Sequence, residues 1–467
     1  MVHGYHPYVE DAEIYVPGIK TALNPALYPH NAEFFASHAG MTLFPNLIAG
    51  SVKLTGLSLD GALLAWHFSA IFLLLLACWE LGRICFADRR ARWGGVALVA
   101  SLLTIPVAGT ALYIMDQYLS PRSLSTPGAL FIVINVMERK FGRAALWAAF
   151  TAAIHPLMVV FALAYAALLL GLGRGRTRAG EAQPELVLPP LLTSFPPVSG
   201  AYREVLGSHS YFFVTRWEWY EWLGIAGPLV LLGWFERVAT SRDLPAVAVL
   251  CRTTIVFVLM FFLPALLISS VPGLARFAEL QPMRCLQLAY ILLFVIAGGL
   301  LGQFVLRGRV WAWAALFAAI CAGMWFPQRE LFPATPHLEW PGRAPHNEWV
   351  EGFEWIRAHT PIDAYFALNP DHMNARGEDQ HGFRAIAERS RLADRVKDSG
   401  AVSMFPKLAA TWWEQVRAQD GWTKFQPADL LRLKHHFGVN WVVLEQPGLA
   451  GLDCPYQNTR LMVCQLE

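Results

Sequence analysis

AIFLLLLACWELGRI (residues 70–84) decides the class of fold, and FADRRARW (86–93) follows it at once. With residues 60–69, the first stretch forms an apolar run long enough, at about 1.5 Å per helical residue, to cross a hydrocarbon core of about 30 Å. Glu80 and Arg83 within it stand three apart, which is pairing distance on one helix face. The second stretch carries Arg89, Arg90 and Arg92. Arginine and lysine mark the cytoplasmic side of a span, so this loop reads as inside and the residues before the run as outside.

The rest of the chain follows the same rule. A second span is expected at 93–114, an outer loop at 115–124 and a short return over 125–138, ending at Glu138, Arg139 and Lys140. Residues 143–173 form one apolar run interrupted by His155-Pro156 and closed by Arg174, Arg176 and Arg178. Proline breaks or kinks a helix. Two ends on the same side therefore predict two short helices, with the His-Pro turn near the outer face. The Pro-rich segment 185–198 crosses outward, 199–219 is an outer loop with the aromatic stretch YFFVTRWEWYEW, and further spans follow at 220–235, 246–269, 285–306 and 310–326. The expected fold is thus a polytopic α-helical membrane protein with about ten spanning or short helices.

Composition agrees. The 467 residues are 55% hydrophobic and only 15% charged, against about 25% charged in soluble domains, and mean hydropathy is +0.38. Eighteen Trp residues suit interfacial belts. A net charge of +2 does not suggest nucleic acid as a partner. From about residue 340 charges become frequent and apolar runs shrink. HNEWVEGFEWIRAHT (346–360), FPKLAATWWEQVRA (405–418) and PADLLRLKHHFG (427–438) have helical period, the last stopping at Gly438. DAYFALN, NWVVLEQ and RLMVCQLE read as strands. Three regions result: an extracytoplasmic acidic loop (1–59), a transmembrane helical domain (60–326) and a soluble extracytoplasmic α/β domain (340–467). Cys454 and Cys464 lie close together in that last region. A disulfide and two free thiols are both open readings.

Several residues carry candidate chemistry. VEDAEIY (9–15) brings Glu10, Asp11 and Glu13 together just outside the membrane. Clustered carboxylates bind a divalent cation or accept a proton, and they also occur as solvated helix starts. Arg122 in SPRSLSTPG, and Arg276 and Arg284 around ARFAELQPMR, stand out in outer loops that are otherwise poor in cations. Arginine pairs bidentately with phosphate, and also with lipid headgroups or a nearby carboxylate such as Glu279. His155, ionisable at membrane depth, is a candidate for substrate contact or for capping the broken helix. Asp116 completes a metal set with Asp11 and Glu13, or caps its neighbouring helix. The phosphate-binding GxxxxGK[ST], serine-hydrolase GxSxG and zinc-protease HExxH patterns do not occur.

Glu10-Asp11-Ala12-Glu13, the Pro121-Arg122 segment before a short helix, and the His155-Pro156 break resemble features of the GT-C superfamily of membrane glycosyltransferases. The resemblance covers roughly residues 1–326 and is architectural. In the superfamily a spanning helix precedes the acidic loop, and residues 1–31 contain no such apolar run. The resemblance implies sugar transfer with inversion from a polyprenyl-phosphate-type lipid donor to an extracytoplasmic acceptor, in a bacterial cytoplasmic membrane. Asp11 would be the base, with Glu10 and Glu13 beside it. A divalent metal (Mg or Mn) would sit on Asp11, Glu13 and Asp116, and Arg122, Arg276, Arg284 and His155 would hold the phosphate. A transporter or lipid flippase, which would show paired broken helices, and a non-catalytic scaffold are the alternatives. A scaffold predicts no cavity joining the acidic segment, His155 and Arg284.

Overall fold

The structure, a computed structural model, describes residues 2–173, 198, 200–343, 347–375 and 379–466. Apart from residue 198, the crossing expected at 185–198 falls outside the described residues, as do Arg174, Arg176 and Arg178.

The chain is mostly helical. The segment expected as a loop holds three helices: α1 (Ala12–Leu23), α2 (Glu33–Gly40) and α3 (Phe44–Thr55). The apolar run at 60–84 is α4 (Leu59–Cys85), capped by Ser58, whose side chain accepts from the Gly61 amide. α5 (Arg89–Ser101) follows, then α6 (Pro121–Met137), α7 (Phe141–Ile154), α8 (Pro156–Gly173), α9 (Ala201–Gly207), α10 (Trp219–Ser241) and α11 (Pro245–Ser270). Next come α12 (Cys285–Leu300), extended by a π-helical turn over Leu301–Leu306, and α13 (Val310–Leu331). Five helical stretches among the described residues are long and apolar enough to cross a membrane: Leu59–Cys85, Trp219–Ser241, Pro245–Ser270, the composite Pro272–Leu306 and Val310–Leu331. α7 and α8 are shorter apolar helices that meet at His155-Pro156, where the expected break falls.

Two expected segments change. The span read at 93–114 ends as a helix at Ser101. Pro106 lacks a backbone donor and disfavours helix at Ile105, and Val107 turns back to pair with Leu112 (amide to carbonyl, 2.8 Å). The short helix read at 125–138 begins earlier, at Pro121. Ser120 and Ser123 cap its start reciprocally, which draws Arg122 from a loop into the first turn. α5 packs closely on α12 because Gly94 and Gly298 face each other. A Cβ on Gly94 would lie 2.9 Å from the Gly298 carbonyl carbon.

The C-terminal region is a mixed five-stranded sheet in the order β2 (Ser390–Arg391), β1 (Tyr365–Leu368), β3 (Trp441–Glu445), β5 (Leu461–Gln465) and β4 (Asp453–Gln457). β1 runs parallel to β2 and β3, and β5 antiparallel to β3 and β4. α14 (Glu348–His359) packs Trp349, Phe353 and Ile356 against Phe366, Val443 and Val463 on one face. On the other face, α18 (Pro427–Phe437) packs Leu430 and Leu433 against Val442 and Cys464. α15 (Phe383–Ala387), α16 (Asp398–Met404) and α17 (Ala409–Ala418) complete the region. The expected helices and strands of this region are present. β4 is an additional edge strand, joined to β5 by a disulfide between Cys454 and Cys464. Its alternating exposure and Pro455 hide it from an apolar-run reading.

The N-terminal segment is embedded in this region. Val9 forms an antiparallel bridge with His381, and the Glu10 amide donates to the Gln380 carbonyl at 3.0 Å. Lys20 pairs with Glu388 at 2.7 Å. His6 Nδ1 lies 2.6 Å from Glu339, whose other histidine neighbour is His381 at 3.4 Å.

Candidate functional site

Asp11 stands at the N-terminal cap of α1 with helical dihedrals, after a left-handed Glu10 (φ +55°). Residues two apart on a helix point to nearly opposite faces. Asp11 and Glu13 are therefore separated by the helix that brings them close in sequence.

Asp11 faces a cluster of cations. Arg122 Nη2 donates to Asp11 Oδ2 at 3.0 Å and to Asp116 Oδ2 at 3.1 Å. Asp116 also accepts from Ser120 Oγ at 2.8 Å. Lys397, the residue before α16, donates from Nζ to Asp11 Oδ1 at 3.2 Å and to the Glu10 carboxylate. Burial raises the pKa of Asp11, but Lys397 and then Arg122 outweigh it and hold the carboxyl well below the usual range. The Lys397 ammonium is held above its ordinary value by the same two carboxylates, against the opposing effect of burial.

Two cavities share this cluster. One, of about 530 Å³, is walled by Glu10, Asp11, Asp116, Arg122 and Arg284, with Lys397 and Arg395 from the C-terminal region. The other, of about 440 Å³, is walled by Asp11, Arg122, His155 and Arg284 together with Leu157, Val160 and Leu280. Met41, Val160 and Leu280 on this second wall are 43%, 52% and 51% exposed, so the cavity continues onto an apolar outer surface. Arg284 immediately precedes α12, and its guanidinium makes no hydrogen bond or ion pair among the described residues. Arg122 and Lys397 are held by carboxylates, which leaves Arg284 as the uncommitted cation of the second cavity. His38, also on that wall, is pushed down to about 4 by burial and is neutral near pH 7. His155 has a buried Nδ1 without a partner among the described residues.

Glu13 belongs elsewhere. It is fully buried, accepts from the Ala385 amide at 3.1 Å and faces Arg384 at 3.5 Å. Arg384 in turn grips Asp398 through two hydrogen bonds of 2.8 Å, with Asp394 3.9 Å away. Burial, with help from Asp394 and Asp398 and against Arg384 and Arg391, raises the Glu13 carboxyl to about 7. The metal set expected from Asp11, Glu13 and Asp116 is therefore not assembled. Glu13 is turned away, and the Arg122 guanidinium occupies the space between the other two. Among the described residues, no three His, Cys, Asp or Glu side chains converge as a cation site. Arg276, in the short helical turns before α12, lines neither cavity.

Asp11, Glu10, Asp116, Arg122, His155 and Arg284 thus meet around two adjoining cavities. Lys397 was not among the sequence candidates. It lies 386 positions from Asp11, and no local pattern in the sequence sets it apart from the other lysines. No protein-family model matches the chain, and no curated protein matches it.

Proposed function

We propose that the protein is a membrane glycosyltransferase of GT-C type, moving a sugar from a polyprenyl-phosphate-type lipid to an acceptor on the extracytoplasmic side. The observation that carries this reading is the second cavity. It joins a carboxylate (Asp11), an uncommitted guanidinium (Arg284), Arg122 and His155 to an apolar wall that opens at Val160 and Leu280. Such a cavity suits an amphiphile whose phosphate rests on Arg284 and whose chain leaves along α8. A scaffold has no use for it. The adjoining polar cavity leaves room for the acceptor on the other side of Asp11. The disulfide between Cys454 and Cys464 favours an oxidising, extracytoplasmic compartment for the C-terminal region.

In this reading Asp11 takes the proton of the acceptor hydroxyl as that oxygen bonds to the sugar carbon. The bond from that carbon to the phosphate oxygen breaks, and the phosphate departs with its electron pair. Arg284 and Arg122 stabilise the charge gathering on the phosphate, and His155 orients it. A phosphate arriving at Arg122 competes with Asp11 for the guanidinium, which raises the basicity of Asp11 as the substrate is seated. Lys397, itself held by Glu10, keeps the Asp11 carboxylate in place.

The test is sugar transfer by purified protein from synthetic polyprenyl-phosphate sugars. Asp11→Ala is expected to lower kcat by about 10²–10⁴-fold, and Arg284→Gln by about 10²–10³-fold. Transfer by Asp11→Ala at the unaltered rate removes Asp11 from the mechanism.

A further inference from the structure

A third cavity, of about 290 Å³, shares no lining residue with the two described above. It is formed where the N-terminal segment meets the start of α4, the Glu339–Arg343 stretch and α14. Asp60 on its wall lies in the first turn of a candidate span, so the cavity sits at the level where that span ends. Trp340 at its rim is 43% exposed, as suits the membrane–water interface.

Besides the carboxylates of Glu339, which is held by His6, and of Glu354, the lining carries two kinds of uncommitted group among the described residues. The first is a set of acceptors among aromatic rings. The Tyr5 hydroxyl is buried and has no hydrogen-bond partner among the described residues. Asp60 accepts from the Tyr8 hydroxyl through Oδ1 alone. Tyr5, Tyr8 and Trp340 line the cavity with Asp60, and aromatic rings attract an ammonium group, as the Lys20 ammonium 5.4 Å from the Tyr8 ring centroid already illustrates. The second is a pair of donors. The guanidinium groups of Arg343 and Arg357 make no hydrogen bond or ion pair among the described residues, and both line the cavity. Two guanidinium groups on the wall of one cavity suit a phosphate.

We infer that this cavity binds an amine-phosphate group, the chemistry of an ethanolamine phospholipid headgroup, with its ammonium at Asp60, Tyr5 and Tyr8 and its phosphate at Arg343 and Arg357. A lone anion leaves the Asp60 end unmatched, and a lone cation leaves both arginines unmatched. The inference stands apart from the proposed sugar transfer, because neither site contributes to the other.

The test uses the full-length protein in detergent and three probes: short-chain phosphatidylethanolamine, short-chain phosphatidylglycerol and O-phosphoethanolamine. The ethanolamine lipid should bind at least about tenfold more tightly than the glycerol lipid, which has the phosphate and lacks the amine. Arg357→Gln and Asp60→Asn should each weaken the ethanolamine lipid by about tenfold. Arg357 is exposed, so its replacement leaves the fold intact, and an unchanged melting curve verifies this. Equal binding of lipid and O-phosphoethanolamine identifies a soluble amine-phosphate as a ligand; tighter binding of the lipid identifies the membrane as the source. Equal binding of the two lipids, or an Arg357→Gln protein that binds as the wild type does, overturns the inference.

Discussion

Replacing Glu13 by glutamine tests the separation of the acidic motif most directly. The carboxyl is 0% exposed and lies among Arg384, Asp394 and Asp398. Its pKa is raised from an ordinary 4.5 to about 7, first by burial and then by the two aspartates, with Arg384 and Arg391 opposing. A carboxyl with a raised folded pKa favours the folded state when protonated. That contribution is complete below about pH 4.5 and is lost as pH rises through about 7, amounting to about 3 kcal/mol at about 1.4 kcal/mol per tenfold change in proton affinity. The E13Q protein stays neutral and still accepts from the Ala385 amide, so it should escape the loss. The assay is thermal unfolding of both proteins in detergent between about pH 4.5 and pH 8. The gap in favour of E13Q should be smallest at the acid end and should approach 3 kcal/mol at the alkaline end. The difference between the two proteins cancels the titration of the shared groups that do not interact with Glu13. Parallel curves, or a gap that narrows as pH rises, refute the burial argument and return Glu13 to the solvent-facing cluster expected from sequence.

Two further outcomes follow from the same structure. Arg384→Leu leaves Asp398 buried without its bidentate partner, and Glu13 and Asp394 without the guanidinium beside them, and should cost about 3–5 kcal/mol, read as a drop in the melting transition. Gly94→Ala places a methyl group against the backbone at Gly298, so it should destabilise by about 1–3 kcal/mol in the same assay, whereas Gly142→Ala, with open space around it, should cost less than either.

Membrane character was legible from composition and from runs such as 60–84, because burial in lipid demands long apolar stretches that no other constraint imposes. The break at His155-Pro156 and the helix end at Gly438 were legible for a local reason: proline and left-handed glycine act on their own neighbours. The failed span at 93–114 shows the limit of that approach. Its composition suited a helix, yet Pro106 and the pairing of Val107 with Leu112 ended it early.

The candidate site was half legible. Residue type pointed to Asp11, Arg122, His155 and Arg284 as charged or ionisable groups out of place, and these four share one cavity. Adjacency in sequence misled for Glu13, since two positions along a helix reverse the direction of a side chain. Lys397 and the split of the carboxylates between two clusters depend on contacts across more than 370 positions, such as Arg384 with Glu13.

By itself, the order of residues determined where the chain is apolar enough to enter a membrane, where its helices must stop and which groups are chemically unusual. Only the tertiary structure decided which of those groups face one another. Charge and hydropathy are properties of single residues and their neighbours, while a site is a set of directions, fixed when the start of α1 meets Arg122 on α6 and the C-terminal sheet region.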